Sequence, residues 1–412
     1  MSQIPRQGTL SDRIPSAALI FSVILLISGV FGVLGAFGLL PGSQFSAHAF
    51  SSSRKKSKLA EIRETAARAP ASFSPDLRHD PRATALKYLD PELANVIVVT
   101  VDGVRWQEVF RGVDGKLDDQ DFAPIFNWLR GKGNTEGFLW GDPRWRDDVT
   151  VANKSWSSLP AYQSIFAGAT QPCNSNACGR TKVQTLQERL TDSEGARFSH
   201  ANVATIASWE KIALAVGHDE GSSFVNAGNE PLFDGEIDEE LKSLNEQQKK
   251  DLPPWGGSRK DKYTFAHALR YLKVHEPRFL YISFVDADEW GHRGNYAEYV
   301  KSLRFYDEAL LTLTKTVDAM KDYGESATLI VTTDHGRGSM SDWSEHGSGF
   351  PGSDKIWIYG RNALTSGSQE GDKIARSHAP RKITHLDIRP TVEALFGLKP
   401  SGPGKVISEL LP

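Results

Sequence analysis

The chain has 412 residues, 39% of them hydrophobic and 24% charged, a composition that suits a globular protein with a sizeable core and excludes a disordered or fibrous one. Its formal charge is −3, but residues 1–60 carry six basic side chains and one acidic one, a local +5 that leaves the remainder near −8. A negative body without a basic stripe excludes a nucleic-acid partner, because neutralising phosphates supplies most of the non-specific affinity for nucleic acid.

Residues 1–16 form an N-terminal tail. Ala17 to Leu40 are 24 residues without a charge, and no Asp, Glu, Lys or Arg lies between Arg13 and Arg54. As a helix this stretch would be about 36 Å long at ~1.5 Å per residue, enough to cross a hydrocarbon core of ~30 Å. It predicts a transmembrane anchor. Ala47-His48-Ala49 also offers a signal-peptide cleavage site, although an apolar signal region usually runs only about 7–15 residues. The positive-inside rule, applied to Arg54, Lys55, Lys56 and Lys58, would keep the body cytoplasmic. Cys173 and Cys178 suit a local disulfide as well as two buried thiols, and a disulfide would need export. The reading taken is a membrane-anchored, exported (periplasmic or extracellular) catalytic domain. Residues 41–90, rich in Ser, Ala, Arg and Pro, read as a linker, and 91–412 as the globular body.

Within the body, Asn95–Val101, Phe279–Val285, Leu329–Thr333 and Ile356–Tyr359 are short apolar runs with the composition of buried strands. Helical patterns fall between or beyond them at Phe122–Arg130, Thr185–Leu190, Trp209–Val216, Thr264–Val274, Tyr296–Met320 and Leu386–Phe396. Alternation of this kind predicts an α/β fold, a mostly parallel central sheet with helices on both faces. Phe233–Asp251 is charge-rich and poorly periodic and reads as a solvated insertion, part of a lid.

Ligands of an open α/β sheet bind beyond the carboxyl ends of its strands. Three runs end there in acidic residues: Asp102-Gly103, Asp286-Ala287-Asp288 and Asp334-His335-Gly336. Singly, each has a structural explanation as a turn or a helix cap. Together with His292, four residues after Asp288, and His346, twelve after Asp334, they make a carboxylate–imidazole set suited to zinc or manganese. Six such ligands suffice for two divalent ions, a recurrent device for displacement at phosphorus. Ser158 lies at or near the cap of a helix that includes Pro160 and ends at Ala167-Gly168. Capping explains that serine. So does catalysis, because a helix N-terminus also favours an anion.

At these residues the sequence resembles the alkaline phosphatase superfamily, especially its type I phosphodiesterase/nucleotide pyrophosphatase branch and the cofactor-independent phosphoglycerate mutases. The strand ending in VDG, the serine turn before Pro160, Asp288-x-x-Gly291-His292, Thr332-Thr333-Asp334-His335-Gly336 and His346-Gly347 occur in the family's order. The resemblance implies that Asp102, Ser158, Asp334 and His335 surround one metal and Asp288, His292 and His346 the other, with Ser158 as nucleophile. Two departures stand out: Tyr162 occupies the place of the arginine in the sulfatases' Cys/Ser-x-Pro-x-Arg motif, which disfavours a formylglycine sulfatase, and Asn295 stands where the family often has glycine. Asn153 and Lys154 are substrate-binding candidates by nearness to Ser158 alone. The expected activity is two-metal hydrolysis of a phosphorylated small molecule or head group, mono- or diester, through a phosphoserine. The alternatives are a phosphomutase or phospho-head-group transferase of the same fold, and an inactive binding module.

Overall fold

The computed structural model describes residues 91–118, 123–145, 148–192, 198–235, 237–362 and 382–411. The predicted tail, anchor and linker lie outside them, and no helix among the described residues is long and apolar enough to cross a membrane.

The elements used below are β1 (Asn95–Val101), α1 (Trp106–Arg111), β2 (Phe138–Trp140), β3 (Asp148–Thr150), α2 (Ser158–Ala167), α3 (Leu186–Thr191), β4 (Val203–Ala207), β5 (Phe224–Ala227), α4 (Glu239–Lys250), α5 (Asp261–His275), β6 (Phe279–Phe284), α6 (Asp286–His292), α7 (Tyr296–Ala319), β7 (Ala327–Thr332), β8 (Ile358–Asn362), β9 (Lys382–Thr384) and α8 (Ile388–Leu395). Seven strands form one sheet in the order β2-β8-β7-β1-β6-β4-β5, while β3 and β9 pair separately in parallel. In the large sheet β8 runs against the others. The α/β class and the mostly parallel sheet are therefore as the alternation predicts.

The central strands are apolar throughout because both their faces are covered. Ile97, Val99, Val101, Leu280, Ile282 and Phe284 enter one hydrophobic cluster, and Val96, Val98, Phe279 and Tyr281 enter another. Successive strand residues point to opposite faces, so a single run supplies both cores.

Local sequence explains several helix ends. Thr185 and Glu188 form a reciprocal capping box at α3. The Asn295 side chain accepts from the Glu298 N–H at the start of α7. Gly168 closes α2 in the left-handed conformation, φ 68°.

Several expected elements differ. Phe233–Asp251 is not a solvated insertion, because its second half forms α4, capped by Asp238 and burying Leu241, Asn245 and Gln248. Its anchoring face is partly polar: Asn245 exchanges two hydrogen bonds with the Leu232 backbone, and Gln248 lies 2.9 Å from Nε2 of His267. No apolar period announces such a helix. Of the pattern at 122–130, the described residues show a π-helical turn at Leu129–Gly133, entered where Asp307 accepts from the Trp128 and Leu129 N–H groups at 2.7 and 2.9 Å. Trp209–Val216 is reduced to a 3₁₀ turn at Glu210–Leu214, and Leu386–Phe396 begins with a 3₁₀ turn before α8. The strands β2, β3, β4, β5 and β9 have three to five residues each, too short for a readable period.

Cys173 and Cys178 are disulfide-bonded, with Cα atoms 5.7 Å apart. Protein isolated under alkylating conditions is expected to show no reactive thiol until it is reduced, as a maleimide mass shift would report.

His385, wholly buried, accepts from the Ala152 N–H at 2.9 Å through Nδ1. Burial pushes its pKa down from 6.5 to about 3. Below pH 6.5 the unfolded chain takes up a proton that the folded chain refuses, so this contribution to stability is complete above 6.5 and is lost as the pH falls towards 3. His385→Asn is expected to remove ~1.4 kcal/mol per pH unit from the acid slope of stability, measured by urea unfolding between pH 7 and 5.

Candidate metal and phosphoryl-transfer site

Strands β7, β1 and β6 lie side by side and parallel, in register from Val96 paired with Thr328 and Phe279 onward. Their carboxyl ends bring Asp334, Asp102 and the α6 helix to one rim. Two latches join the segments that leave β1 and β7: the Gly103 N–H donates to Oδ1 of Asp334 at 3.1 Å, and the Val104 N–H to Oγ1 of Thr333 at 3.1 Å. A buried carboxylate, Asp261, sets the start of α6 by accepting from the N–H groups of Val285 (2.9 Å) and Asp286 (2.8 Å) and from the hydroxyl of Tyr306 (2.7 Å).

Ser158 is the first residue of α2, and the N-cap is Ser157, whose side chain makes no capping hydrogen bond. The capping explanation for Ser158 is thereby removed. Its Oγ lies 3.4 Å from Oδ1 of Asp102 and 3.2 Å from Nε2 of His335. One turn further along the same helix, Tyr162 donates from its hydroxyl to Oδ2 of Asp102 at 3.0 Å, so one helix face addresses both oxygens of that carboxylate.

Donor atoms of Asp102, Asp334 and His335 lie within 4.8 Å of one another, as do those of Asp288, His335 and His346. His292 completes the second group, with Nε2 3.1 Å from Oδ2 of Asp288 and 3.1 Å from Nε2 of His346. The residues of both expected sets are brought together, and His335, whose ring stacks on that of His346 with centroids 3.9 Å apart, has donor atoms near each of them.

The chemistry of these donors fits divalent ions. Nδ1 of His335 faces the Gly336 carbonyl at 2.8 Å, and Nδ1 of His346 faces the Trp156 carbonyl at 3.1 Å. A carbonyl only accepts, so both Nδ1 atoms carry the proton and both Nε2 atoms present a lone pair, that of His335 towards Ser158 and that of His346 towards His292, the orientation found for metal-binding imidazoles. Among the described residues, the buried Oδ2 of Asp334 has no hydrogen-bond partner and lies 3.4 Å from Nε2 of His335. Burial and the Asp288 charge raise Asp334 to about 7, and burial with Asp334 and Asp288 raises Asp102 well above the carboxylate range. Burial also pushes His335 down to about 4 and keeps it neutral. These shifts follow from crowding acids and imidazoles out of water, and bound cations would relieve them.

Asp288 goes the other way. Burial raises it, but Arg337, His292 and His346 outweigh burial and hold it well below the usual range. The fully buried Arg337 guanidinium donates to Oδ1 and to the carbonyl of Asp288 (the latter at 2.7 Å) and to the Ser344 carbonyl. Sequence reading missed Arg337 and Tyr162. Position relative to the named residues was the available signal, since Tyr162 follows Ser158 by four and Arg337 follows His335 by two.

Of the substrate-binding candidates, Asn153 is buried and turns its Oδ1 to the backbone N–H groups of Ser155 and Trp156, while its Nδ2 has no partner. Lys154 is exposed. Trp156, which presents its carbonyl to His346, has φ 50°, a conformation side chains seldom adopt and one that recurs at functional turns.

The open sheet carries Asp/His clusters whose donor atoms could hold metal ions. A profile of the Metalloenzyme superfamily matches residues 184–348, which include Asp288, His292, Asp334, His335 and His346. Among solved structures, the phosphonate monoester hydrolase of Agrobacterium radiobacter superposes with a TM-score of 0.50 at 13% identity, covering 77% of this chain and 77% of that one. A 2-O GAG sulfatase, BT1596, gives 0.49 at 13% identity over 77% and 74%, and an alkaline phosphatase superfamily protein of Vibrio parahaemolyticus gives 0.46 at 15% over 84% and 75%. No curated protein sequence matches the chain. At such identities the likeness is one of fold. The profile marks residues 184–348 as similar to the Metalloenzyme superfamily, and the hydrolase with a TM-score of 0.50 is similar in fold.

Gly103 has φ 63°, and a Cβ there would run into Oδ1 of Asp288, which Arg337 holds in place. Gly103→Ala is expected to lower the stability of the metal-free protein by ~1–3 kcal/mol, read as a drop in Tm.

Proposed function

We propose that this protein is a divalent-metal-dependent phosphate-ester hydrolase that works through Ser158. The observation that carries the reading is the Ser158 hydroxyl, buried at the start of α2 and within 3.4 Å of both Asp102 and His335, among donors suited to two ions. Asp102, Asp334 and His335 would hold one ion beside Ser158, and Asp288, His292 and His346 the other. Bound divalent ions, zinc or manganese, would lower the pKa of the serine hydroxyl and offset charge developing on the phosphoryl group.

The chain's own residues supply position. Tyr162, bonded to Asp102, ties α2 to the end of β1 and keeps the Ser158 hydroxyl beside Asp102 and His335. In the reaction the serine hydroxyl loses its proton to solvent and Oγ bonds to phosphorus as the bond to the leaving oxygen breaks with its electron pair and that oxygen takes up a proton; water then cleaves the phosphoserine, giving phosphate and restoring the serine hydroxyl. Tyr162 fills the place of the sulfatases' arginine and is committed to Asp102, which supports a phosphate over a sulfate ester. The Cys173–Cys178 bond supports an exported domain tethered by residues 17–40.

Ser158→Ala is expected to lower kcat for p-nitrophenyl phosphate or its bis-ester by at least ~10³-fold while two metal ions per chain remain by elemental analysis. Ser157→Ala should stay within a few-fold of wild type. Acid-quenched enzyme given ³²P-labelled substrate should carry phosphoserine at 158. Near-normal turnover of Ser158→Ala, or a label at Ser157, would overturn the assignment.

A further inference from the structure

The first N–H groups of a helix have no partner within it, and a side chain at the N-cap usually takes the N–H of the second or third helical residue. In α2 the N-cap, Ser157, makes no such bond. Pro160, the third helical residue, has no N–H to offer, and the Ala161 N–H donates to the Ser157 carbonyl at 3.0 Å. The N–H that needs a cap is therefore that of Leu159, the residue after Ser158. It donates to Oδ1 of Asn176 at 2.9 Å, a side chain 17 residues further along the chain.

Asn176 stands in the short loop that the Cys173–Cys178 bond closes. Inside the loop, the Ala177 N–H donates to Oγ of Ser175 and the Cys178 N–H to the Ser175 carbonyl, both at 3.3 Å. From outside, Nζ of Lys211 donates to the Asn176 carbonyl at 2.7 Å, and Nε2 of Gln163, on α2 itself, donates to the Gly179 carbonyl at 2.8 Å. Cys173 is buried in the same hydrophobic cluster as Leu159, Tyr162 and Phe166, and Cys178 packs against that cluster. The loop is thus fastened to α2 at two points one helical turn apart. Ser158 and Tyr162 address Asp102, while Leu159 and Gln163, each one residue on, address the loop.

A hydroxyl on the first helical residue moves with the first turn, and an uncapped first turn frays. Misplacing a reacting group by ~1 Å can cost ~10²-fold in rate. The fold shows no second cap at this end of α2 among the described residues, so the placement of Oγ depends on Asn176, and that of Asn176 on a loop without secondary structure of its own.

We propose that Asn176, presented by the disulfide-closed loop, is the positioning residue for Ser158: by accepting the Leu159 N–H it fixes the first turn of α2 and keeps Oγ beside Asp102 and His335. This role rests on the reading of Ser158 as nucleophile, and it gives the Cys173–Cys178 bond a part in turnover as well as in folding.

The test combines kinetics on the full-length chain with hydrogen exchange on its metal-free form. Asn176→Ala should lower kcat for p-nitrophenyl phosphate or its bis-ester by ~10–100-fold and leave KM within ~3-fold. Asn176→Asp keeps the acceptor and loses the Nδ2 donor, so it should recover kcat to within ~3-fold of wild type. The double variant Cys173→Ala/Cys178→Ala should lose ~10–100-fold as well, and adding Asn176→Ala to it should cost no more than ~3-fold further, because both act through one hydrogen bond. Exchange at the Leu159 amide should quicken at least ~10-fold in Asn176→Ala and in the double variant, and stay near wild type in Asn176→Asp. Exchange needs no turnover, so the two readings fail separately: an active Ser158→Ala would remove the nucleophile while Leu159 remained protected by Asn176. The positioning role is overturned if Asn176→Ala turns over like wild type, or if Leu159 exchange is unchanged in it. It is equally overturned if Asn176→Asp is as slow as Asn176→Ala, which would make Nδ2 a substrate contact, or if the cysteine and asparagine effects multiply.

Discussion

Acidic side chains brought together out of water repel one another, and the organisation of this protein answers that repulsion. Donor atoms of Asp102 and Asp334 lie within 4.8 Å of each other, where two unit charges cost about 3 kcal/mol at an effective dielectric of ~20. Burial adds its own penalty for each charge. A chain with no use for cations would relax the arrangement by moving one carboxylate to solvent. Here backbone donors, a tyrosine and a buried arginine hold the groups in place.

The solution is uneven across the site. On the Ser158 side, neutralisation inside the protein is incomplete: Tyr162 and the Gly103 N–H donate to carboxylates whose pKa values remain raised. On the other side Arg337 takes one oxygen of Asp288 and leaves the second towards His292. The same arginine explains two glycines. A Cβ on Gly103 or on Gly291 would meet Asp288 or the guanidinium itself, so the glycines in VDG and in Asp288-x-x-Gly291-His292 are vacated space around one buried ion pair.

Positioning reaches well beyond the donors. Asp261 on α5 ties the end of β6 to the start of α6, and Tyr306 on α7 bonds both to Asp261 and to the Ala287 N–H, so two long helices bear on where Asp288 stands. His385, far along the chain, holds Ala152 just ahead of the serine turn. Groups this distant in sequence share the work because the carboxyl ends of parallel strands are a meeting place for connections from the whole domain.

The amino-acid sequence alone was enough for the sheet core, and it named the acids and histidines that the sheet gathers at one rim. Strands buried on both faces must be continuously apolar, which made Asn95–Val101, Phe279–Phe284 and Ala327–Thr332 legible within a residue or two, and the acids that end them were conspicuous against that background. Short strands, the polar-faced helix α4, the place of Arg337 and the sharing of His335 between two clusters were not legible. Those features rest on single contacts between residues tens to hundreds of positions apart, such as Asn245 with Leu232, Arg337 with Asp288 and Ser158 with His335. Periodicity records which face of an element meets a core. It carries no record of which distant side chain will face a given oxygen, and only the packing of the sheet and its connections decides that.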